Sequence, residues 1–452
     1  MEVTFTKELW DEIKSHIEER NTEALAAAFD QMHPTDIAQV FDKLNREDAS
    51  IAISAIEEEK AAEMITFLDE DVRERMMALL TPKEIAEKVI DNLDSDDAAD
   101  IISELPEQKQ KQVLSEIEDY EQAKDIADLL NYDEDTAGGL MAKELVKVNI
   151  NSSLIQCVRE IRNQAAEIDD LYGIYVIDDQ EKLIGILPLK KLLLAPSHAK
   201  LDDVINKDVI SVTATENREQ VAAIMRKYDL VVLPVLDNLG RLLGRITIDD
   251  VVDVIREEAE ADYRLASGLS ESVESDDKIW VLSRARLPWL LIGLCGGIFG
   301  SRIIGAYEDQ LQIHPEMAFF IPLIAAMGGN AGVQSSAIIV QSLASGSIGE
   351  KGLFSRLIKE FSVAAISGVV CSVFLLSYSL LFTDSTSLAM TVGLSLLTVI
   401  MFASLLGTFI PLMLNKFKID PALATGPFIT TSNDILGLFV YFSIGRLLYG
   451  VF

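Results

Sequence analysis

The sequence predicts a multidomain membrane protein with an all-α superhelical N-terminal domain, a tandem α/β pair, an acidic linker helix and a five-helix transmembrane domain. Two observations predict this fold class. The 452 residues carry 39 basic and 72 acidic side chains, a formal net charge of -33, yet the mean hydropathy is +0.23. A chain that is both highly charged and apolar usually separates the two properties along its length. We expect domain boundaries at 1–135, 136–255, 256–282 and 283–452.

Acidic charge is concentrated in the first 282 residues. From Ser283 onwards there are 9 basic and 8 acidic residues, and subtracting these from the totals leaves 30 and 64, a net charge of -34, before it. A nucleic-acid-binding protein needs a positive surface, so we expect no nucleic-acid partner. The apolar half of the chain excludes a simple soluble enzyme. Because Cys157, Cys295 and Cys371 lie far apart and the four histidines are scattered, no disulfide, zinc site or catalytic constellation is predicted.

Residues 1–135 are predicted to form stacked helical hairpins. Helix-like stretches begin at Pro34, Glu58 and Pro82, a 24-residue step taken twice, and the segment Asp96-Asp-Ala-Ala-Asp100 begins another helix. The carboxylates of that segment either cap a helix and stabilise its first turn or bind a cation. The charged N-terminus shows no secretory signal, so we expect this half to remain in the cytosol.

Residues 136–255 change to strand-like segments that repeat. The strand-like runs Ile174–Asp178 and Leu233–Asp237 are 59 residues apart, and so are Gly185 and Gly244. This spacing predicts two copies of a βαββα unit of about 60 residues.

A helix rich in carboxylates is predicted from Asp249 to about Leu269, leading towards the apolar half. Like charges at four-residue spacing destabilise a helix, so it is either a solvated linker or is neutralised by a bound cation. Carboxylates recur on three predicted elements, which favours the cation. The predicted apolar stripe, which we expect to face a partner, consists of Val251, Val254 or Ile255, Ala259 and Tyr263.

Five membrane spans fit the apolar half. Stretches free of charge hold 15, 33, 23 and 31 residues, and a final apolar stretch runs over 421–445. About 20 apolar residues cross a bilayer, so the first stretch is short unless Arg302 reaches the interface. Basic residues precede span one and lie in alternate loops. This predicts a multi-pass protein of the cell (inner) membrane, with the N-terminal domains cytoplasmic and the C-terminus outside.

Two features are unusual for a simple membrane anchor. The second span contains the glycine-rich, polar segment Met327–Ser336, which either packs closely against other helices or lines a pore through Asn330. The last span carries Asp434, with Thr430 one turn earlier on the same face. A carboxylate at a helix centre costs about 2.5–3.5 kcal/mol on insertion. It is either a protonated structural residue or a cation site, and the cation site is favoured.

With these features the chain resembles, essentially end to end, the MgtE family of magnesium channels, and residues 136–255 resemble a tandem pair of CBS domains. The second copy carries Thr247-Ile-Asp-Asp250, which matches the ribose-binding pattern of CBS domains, whereas the first has Pro188-Leu-Lys-Lys191 there. At most one nucleotide site is therefore expected, with ATP as the candidate ligand. The resemblance is carried by Asp96–Asp100, Asp135–Met141, the tandem repeats, the acidic helix, Gly328–Gly332, Asp420–Leu423 and Pro427–Asp434.

The resemblance implies a Mg2+-selective channel or transporter of the cell membrane that mediates Mg2+ influx and closes when its acidic cytoplasmic domains bind intracellular Mg2+. It also implies a homodimer, surrounded by membrane lipid, with the pore on the two-fold axis. By matching motifs, Asp434 resembles the selectivity carboxylate, with Thr430 and Asn330 beside the pore and Asp420 at its cytoplasmic mouth. The residues that resemble ligands of the magnesium sensor are Asp96, Asp100, Asp229, Asp250, Asp253, Glu258 and Asp262.

Two other functions are compatible with parts of the sequence. A secondary transporter could couple a divalent ion to sodium or protons through Asp434, and it would differ from a channel in its reversal potential. A membrane-anchored nucleotide sensor would explain the CBS-like pair. It would leave the five spans and their buried carboxylate unexplained.

Overall fold

The chain divides into two compact units, Met1–Ile255 and Arg256–Phe452. Each unit has its own hydrophobic core. The architecture comes from a computed structural model. It describes residues 6–166, 168, 171–196, 198–273, 277–344, 353–383, 385–424 and 426–449.

The N-terminal part of the first unit is helical throughout its described residues. The predicted 24-residue step is confirmed, since helices begin at Pro34, Glu58 and Pro82. The elements are α1 (Lys7–Glu18), α2 (Thr22–Asp30), α3 (Pro34–Phe41), α4 (Arg46–Ile53), α5 (Glu58–Thr66), α6 (Glu70–Met77), α7 (Pro82–Lys88), a 3-10 turn (Ile90–Asn92), α8 (Ser95–Ser103), α9 (Glu107–Glu116) and α10 (Tyr120–Leu129).

Long polar side chains tie successive helical repeats together. Lys60 Nζ lies 2.9–3.2 Å from three carbonyl oxygens at the C-terminal end of α2. Lys109 reaches two carbonyls after α6 at 2.7 and 3.0 Å, and Gln122 reaches two beside the 3-10 turn at 3.0 and 3.4 Å. The last carbonyls of a helix have no partner within that helix, so donors from the next repeat satisfy them.

The remainder of the first unit contains two small α/β copies. Their elements are β1 (Val146–Asn149), α11 (Leu154–Gln164), β2 (Ile174–Ile177), β3 (Leu183–Ile186), α12 (Leu189–Leu194), α13 (Leu201–Val204), β4 (Val212–Thr213), α14 (Arg218–Tyr228), β5 (Val232–Leu236) and β6 (Leu242–Thr247).

The two copies share one sheet topology, which confirms the predicted repeat. Each sheet has three strands in sequence order, the first two parallel and the last two antiparallel. Val176 pairs with Gly185 and Val235 with Gly244, so the 59-residue relation holds in the register itself. A Cβ at either glycine would lie within 2.6 Å of a backbone oxygen, which explains why both positions are glycine.

The predicted acidic helix is present as α15 (Ile248–Ala266). Its apolar residues do not form the single stripe that we expected. Val251 and Val254 are buried in the core of the first unit, whereas Ile255, Ala259 and Tyr263 are exposed. Burial therefore selects Val254 over Ile255, although both positions lie within one helical turn of Val251.

The second unit contains five helices that are long and apolar enough to cross a membrane, among the residues described. The predicted short first span is a 28-residue helix, because the helix continues past the charged residues at both ends. Helix α20 packs against α18, α19 and α21. The elements are α16 (Ile279–Ala306), α17 (Glu308–Ile313), a 3-10 helix (Pro315–Phe320), α18 (Ile321–Ala344), α19 (Leu353–Phe382), α20 (Thr386–Lys416), a 3-10 helix (Pro421–Ala424) and α21 (Pro427–Tyr449).

Candidate ion site and acidic clusters

Asp434 lies on α21 about two turns after the helix begins, facing a glycine of α18. A Cβ atom added at Gly329 would lie 3.6 Å from Asp434 Oδ1 and 3.6 Å from Thr430 Cγ2. The predicted shared face of Asp434 and Thr430 is therefore present. The Asp434 side chain is partly buried, and no hydrogen bond or ion pair engages it among the described residues. Its oxygens are therefore able to accept hydrogen bonds from the water shell of an ion.

The hydroxyl of Thr430 donates back to its own helix. Thr430 Oγ1 lies 3.2 Å from the Gly426 carbonyl oxygen and 3.0 Å from that of Pro427. This bonding directs the hydroxyl hydrogen away from Asp434 and leaves the oxygen lone pairs as acceptors. Thr430 can therefore add an acceptor next to the carboxylate.

Asn330 lies beside Gly329 on a face of α18 that other helices of this chain leave exposed. Ala326 and Gln334, four residues away on either side, are exposed as well. The neighbouring Gly328, Gly329 and Gly332 are buried. The two interpretations of the Met327–Ser336 segment thus apply to different faces: the glycines pack closely, and Asn330 faces outwards.

A polar side chain that sequence reasoning missed lies directly before the carboxylate. Asn433 is 2% exposed and packs against Gly332 of α18, and its Nδ2 has no partner among the described atoms. The sequence does contain a signal for Asn433, since it is an amide inside an apolar span. The adjacent charge of Asp434 is the stronger signal in the same span.

Glu360 of α19 is a second carboxylate with a contact inside the membrane domain. Its Oε1 lies 2.6 Å from Ser335 Oγ, and Ser335 on α18 is 4% exposed. Ser335 Oγ also lies 3.0 Å from the Ala331 carbonyl oxygen. This contact joins α19 to the helix that carries Asn330.

Asp420 and Asp262 lie near each other at the end of the second unit where α21 begins. Asp420 Oδ1 accepts the backbone N–H of Ala422 at 2.8 Å and so caps the 3-10 helix, while its side chain stays exposed. Burial raises the pKa of Asp262, and the negative charges of Asp420 and Glu258 raise it further. Two of these carboxylates come from α15 and one from the membrane domain.

The end of α15 touches the start of α21 through two glycines in left-handed conformations. Gly268 has φ +74°, and a Cβ there would lie 2.8 Å from Pro427 Cγ. Gly426 has φ +56°, and a Cβ there would lie 2.5 Å from the Ala266 carbonyl oxygen. Neither position accommodates a side chain, so the chain at the end of α15 lies directly against the start of α21.

A separate acidic cluster lies in the first unit, between α8 and the second α/β copy. One carboxylate oxygen from each of Asp94, Asp96 and Glu144 lies within 4.8 Å of the others, close enough to share a cation. Glu144 also caps α8, since it accepts Ser95 N–H at 3.1 Å and Ser95 Oγ–H at 2.9 Å. Asp94 and Glu144 were missed because their roles depend on contacts 49 or more residues away in the chain.

Burial, and after it the charge of neighbouring carboxylates, raises the pKa of several carboxyls in and beside this cluster. Burial raises the pKa of Asp96 well above its usual value, and Asp250 raises it further. Asp97 and Asp100 keep exposed surface, yet desolvation by the surrounding chain, followed by neighbouring carboxylates, raises their pKa to about 6 and about 7. Burial also raises the pKa of Asp250. A bound dication would relieve the same repulsion.

Asp229 and Asp253, two residues predicted to bind sensor Mg2+, show no hydrogen bond or ion pair through their carboxylates among the described residues. Asp229 ends α14 in a left-handed conformation, with φ +50° and its N–H on the Met225 carbonyl. Asp253 is exposed on α15, and no contact to the carboxylate of either residue is found among the described residues. Their assignment as metal ligands therefore stays a prediction.

The predicted nucleotide motif forms a closed pair. Asp250 Oδ2 accepts the Thr247 hydroxyl at 2.6 Å and the Thr247 N–H at 2.9 Å. In the first copy Lys191 Nζ instead donates to Asn206 Oδ1 at 2.5 Å. The carboxylate present in the second copy thus has no counterpart in the first.

Three protein-family profiles match this chain. The MgtE profile, described as divalent cation transporter, matches residues 321–444, and that of the MgtE intracellular N domain matches residues 32–135. The CBS domain profile matches 137–198 and 201–257.

Two curated relatives and a solved structure agree with these matches. The magnesium transporter MgtE of Bacillus subtilis is 34% identical over 316 residues, 70% of each chain, and that of Thermus thermophilus is 35% identical over 322 residues, 71% of each chain. A crystal structure of the cytosolic domain of the Mg2+ channel MgtE in complex with ATP is 30% identical, covers 54% of this chain and 98% of its own, and aligns with a TM-score of 0.50. These relatives are transporters and not enzymes. This chain belongs to the MgtE family of magnesium transporters.

Proposed function

We propose that this protein is a magnesium-selective channel of the cell membrane that mediates Mg2+ influx and closes when intracellular Mg2+ binds its acidic domains. The observation that carries the proposal is Asp434, a carboxylate inside an apolar helix with no cationic partner among the described residues. Such a group is costly in a membrane unless it serves an ion.

The chemistry of the ion explains why one carboxylate is enough from each chain. Mg2+ releases its water slowly and prefers an octahedral shell at about 2.0–2.1 Å. We propose that Asp434 binds a largely hydrated ion through its water shell, with Thr430 as an outer acceptor and Asn330 lining the pathway. Selectivity then follows from the size of the hydrated ion.

A homodimer would complete this site. The face of α18 that carries Asn330 is exposed in the single chain, which supports a second copy on that side. Two Asp434 carboxylates would then face one another across a two-fold axis, with membrane lipid around the outer helices.

The site is tested by removing one charge. We expect Asp434→Asn to lower Mg2+ uptake into proteoliposomes by at least about tenfold, a loss of about 1.4 kcal/mol of ion stabilisation, because the amide keeps the size but not the charge. Asp309→Asn, an exposed carboxylate of α17, is the matched control and should transport normally. Selective uptake by Asp434→Asn at the unchanged rate would show that the site is assigned wrongly.

Closure would come from the acidic domains. Moving a two-state element from 1:99 to 99:1 takes about 5.5 kcal/mol, and one site at tenfold its dissociation constant supplies about 1.4 kcal/mol. About four sites are therefore needed. Asp96, Asp100 and Asp250, in and beside the acidic cluster of the first unit, would supply some of these sites. Asp262, Glu258 and Asp420 would supply others. Asp229 and Asp253 are proposed as further ligands.

This gating predicts a change in the soluble part. We expect millimolar Mg2+ to slow proteolysis of the cytoplasmic domains, because the ions offset repulsion among carboxylates in the compact form. Ca2+ at the same concentration is the comparison ion, and NaCl of matched ionic strength controls for screening. Digestion that is the same with and without Mg2+ would contradict gating by this half.

The remaining assignments follow from the same sequence features. We propose domains at 1–135, 136–255, 256–282 and 283–452, with the N-terminal domains in the cytoplasm and the C-terminus outside. The crystallised relative contains ATP, and Thr247 with Asp250 would be the ribose-binding pair here. A steady reversal potential that follows the Mg2+ gradient alone would distinguish a channel from an ion-coupled transporter.

A further inference from the structure

Arg245 is a buried cation that contacts the acidic cluster of Asp94, Asp96 and Glu144 in the first unit. It lies on β6 and is 5% exposed. A buried charge is costly unless it is paired and hydrogen-bonded, so its partners indicate what it does. The whole first unit is compact, and the N-terminal helices and the second α/β copy meet at this side chain.

Three groups hold the guanidinium. Nε donates to the Glu144 carbonyl oxygen at 2.5 Å, and Nη2 lies 3.2 Å from Asp94 Oδ2. The ring of Tyr172 lies under the guanidinium, 4.9 Å from Cζ to the centroid. Asp94 immediately precedes α8, so the ion pair joins the helical domain to β6.

The guanidinium neutralises one of the carboxylates that could otherwise share a dication. Asp94, Asp96 and Glu144 bring their oxygens within 4.8 Å of one another, and Arg245 binds the first of them. Burial raises the pKa of Asp250, and the positive charge of Arg245 opposes this effect by lowering the pKa. One fixed positive charge is thus built into a site whose other members are acidic.

We propose that Arg245 is a tethered cation that favours contact of the N-terminal helices with the second α/β copy, and so lowers the Mg2+ level at which the first unit becomes compact. The inference rests on the proposed gating function. Arg245 acts through Asp94 and Glu144, so it is a positioning residue and not a metal ligand. Its role predicts that a free dication can replace it.

Replacing Arg245 with an uncharged side chain of similar length distinguishes an electrostatic role of the guanidinium from a packing role of the side chain. With the full-length protein in detergent, we expect Arg245→Met to be cut by proteinase K at least about tenfold faster than wild type in EDTA. Saturating Mg2+ should restore wild-type resistance, with a steeper dependence on Mg2+ because one more ion is taken up. Arg245→Lys, which keeps the charge, should behave nearly as wild type in EDTA.

A second substitution tests the electrostatic cause directly. Asp94→Asn in the Arg245→Met background removes the charge that the guanidinium neutralises, and it should return much of the resistance in EDTA. Arg75→Met, which removes an exposed pair with Asp71, is the control and should change nothing.

Three results would overturn the proposal. They are Arg245→Met digestion at the wild-type rate in EDTA, failure of saturating Mg2+ to protect that variant, and failure of Asp94→Asn to restore resistance in EDTA. A wild-type protein whose digestion ignores Mg2+ would instead contradict the gating function, and this arm keeps the two failures distinct.

Discussion

Gly332 of α18 lies where α18, α20 and α21 pack closely against one another. A Cβ there would overlap the Asn433 amide and lie 2.9 Å from Ile429 Cγ2. On its other side the backbone of Gly332 meets Gly407 of α20. Small residues let membrane helices approach one another this closely. The close approach here joins α18, which carries Asn330, to α21, which carries Asp434.

Gly407→Ala tests this contact. A methyl group at 407 would meet the carbonyl oxygen and backbone of Gly332, which cannot rotate away as a side chain can. We expect a loss of about 1–3 kcal/mol in the free energy of unfolding in detergent and reduced Mg2+ uptake. Gly297→Ala on α16, where a Cβ meets nothing within 4 Å, is the matched control. Equal stability of the two variants would argue against close packing at Gly332.

Single residues could be predicted from the sequence where their cost was visible there. Asp434 stands out because a charge interrupts an apolar stretch, and Thr430 follows from helical periodicity. Arg245 and Glu360 do not stand out, since each looks like an ordinary surface charge until a partner 25 or more residues away is known. Their roles arise from burial, which sequence periodicity does not report.

At the scale of elements, the helical domain depends on bonds between repeats as much as on its apolar core. Its helices are seven to twelve residues long, and helices this short are marginal in isolation. Lys60, Lys109 and Gln122 each satisfy carbonyls about 30 residues earlier in the chain. Every such bond fixes one hairpin against the next.

Lys60→Met is expected to loosen α2. The three carbonyls at its end would lose a charged donor, which costs about 1.5–3 kcal/mol locally. Hydrogen exchange of the α2 amides in the full-length protein should therefore become about tenfold faster or more. Lys83→Met removes only an exposed pair with Glu87 and should leave exchange unchanged. Unchanged exchange in Lys60→Met would show that the bond adds no stability.

Elements with a clear period were predictable. The 24-residue and 59-residue spacings gave the starts of α3, α5 and α7 and the paired glycines of the two sheets. The apolar stripe of α15 was not predictable, because the start of the helix packs into the core of the first unit whereas its later apolar residues are exposed. A periodic pattern cannot indicate where a helix changes its environment.

At the scale of the whole molecule, the proposed gating makes the compact form of the acidic domains depend on cations, because their carboxylates repel one another. Protons and Mg2+ relieve the same repulsion, so they should substitute for each other. The raised pKa values of Asp97 and Asp100 give the direction of the effect: the compact state binds protons more tightly than the open state.

Stability without Mg2+ should therefore fall as pH rises. The contribution of these carboxyls is present near their ordinary pKa of 3.8 and is lost as pH rises through about 6 and 7. In EDTA we expect the thermal midpoint of the cytoplasmic transition to be lower at pH 7.5 than at pH 5.5, measured by calorimetry. Mg2+ should reduce this difference, and so should the Asp97→Asn, Asp100→Asn double variant. A midpoint that rises between these pH values in EDTA would contradict the cluster electrostatics.

The sequence by itself determined the separation into an acidic and an apolar half, the five spans, both repeats and the carboxylate in the last span. These follow from composition and period, which local chemistry records directly. Only the tertiary structure decided that Asp434 faces Gly329, that Asp262 meets Asp420, and that Arg245 pairs with Asp94. Contacts between distant segments depend on how helices and sheets pack, and no local pattern of residues encodes that arrangement.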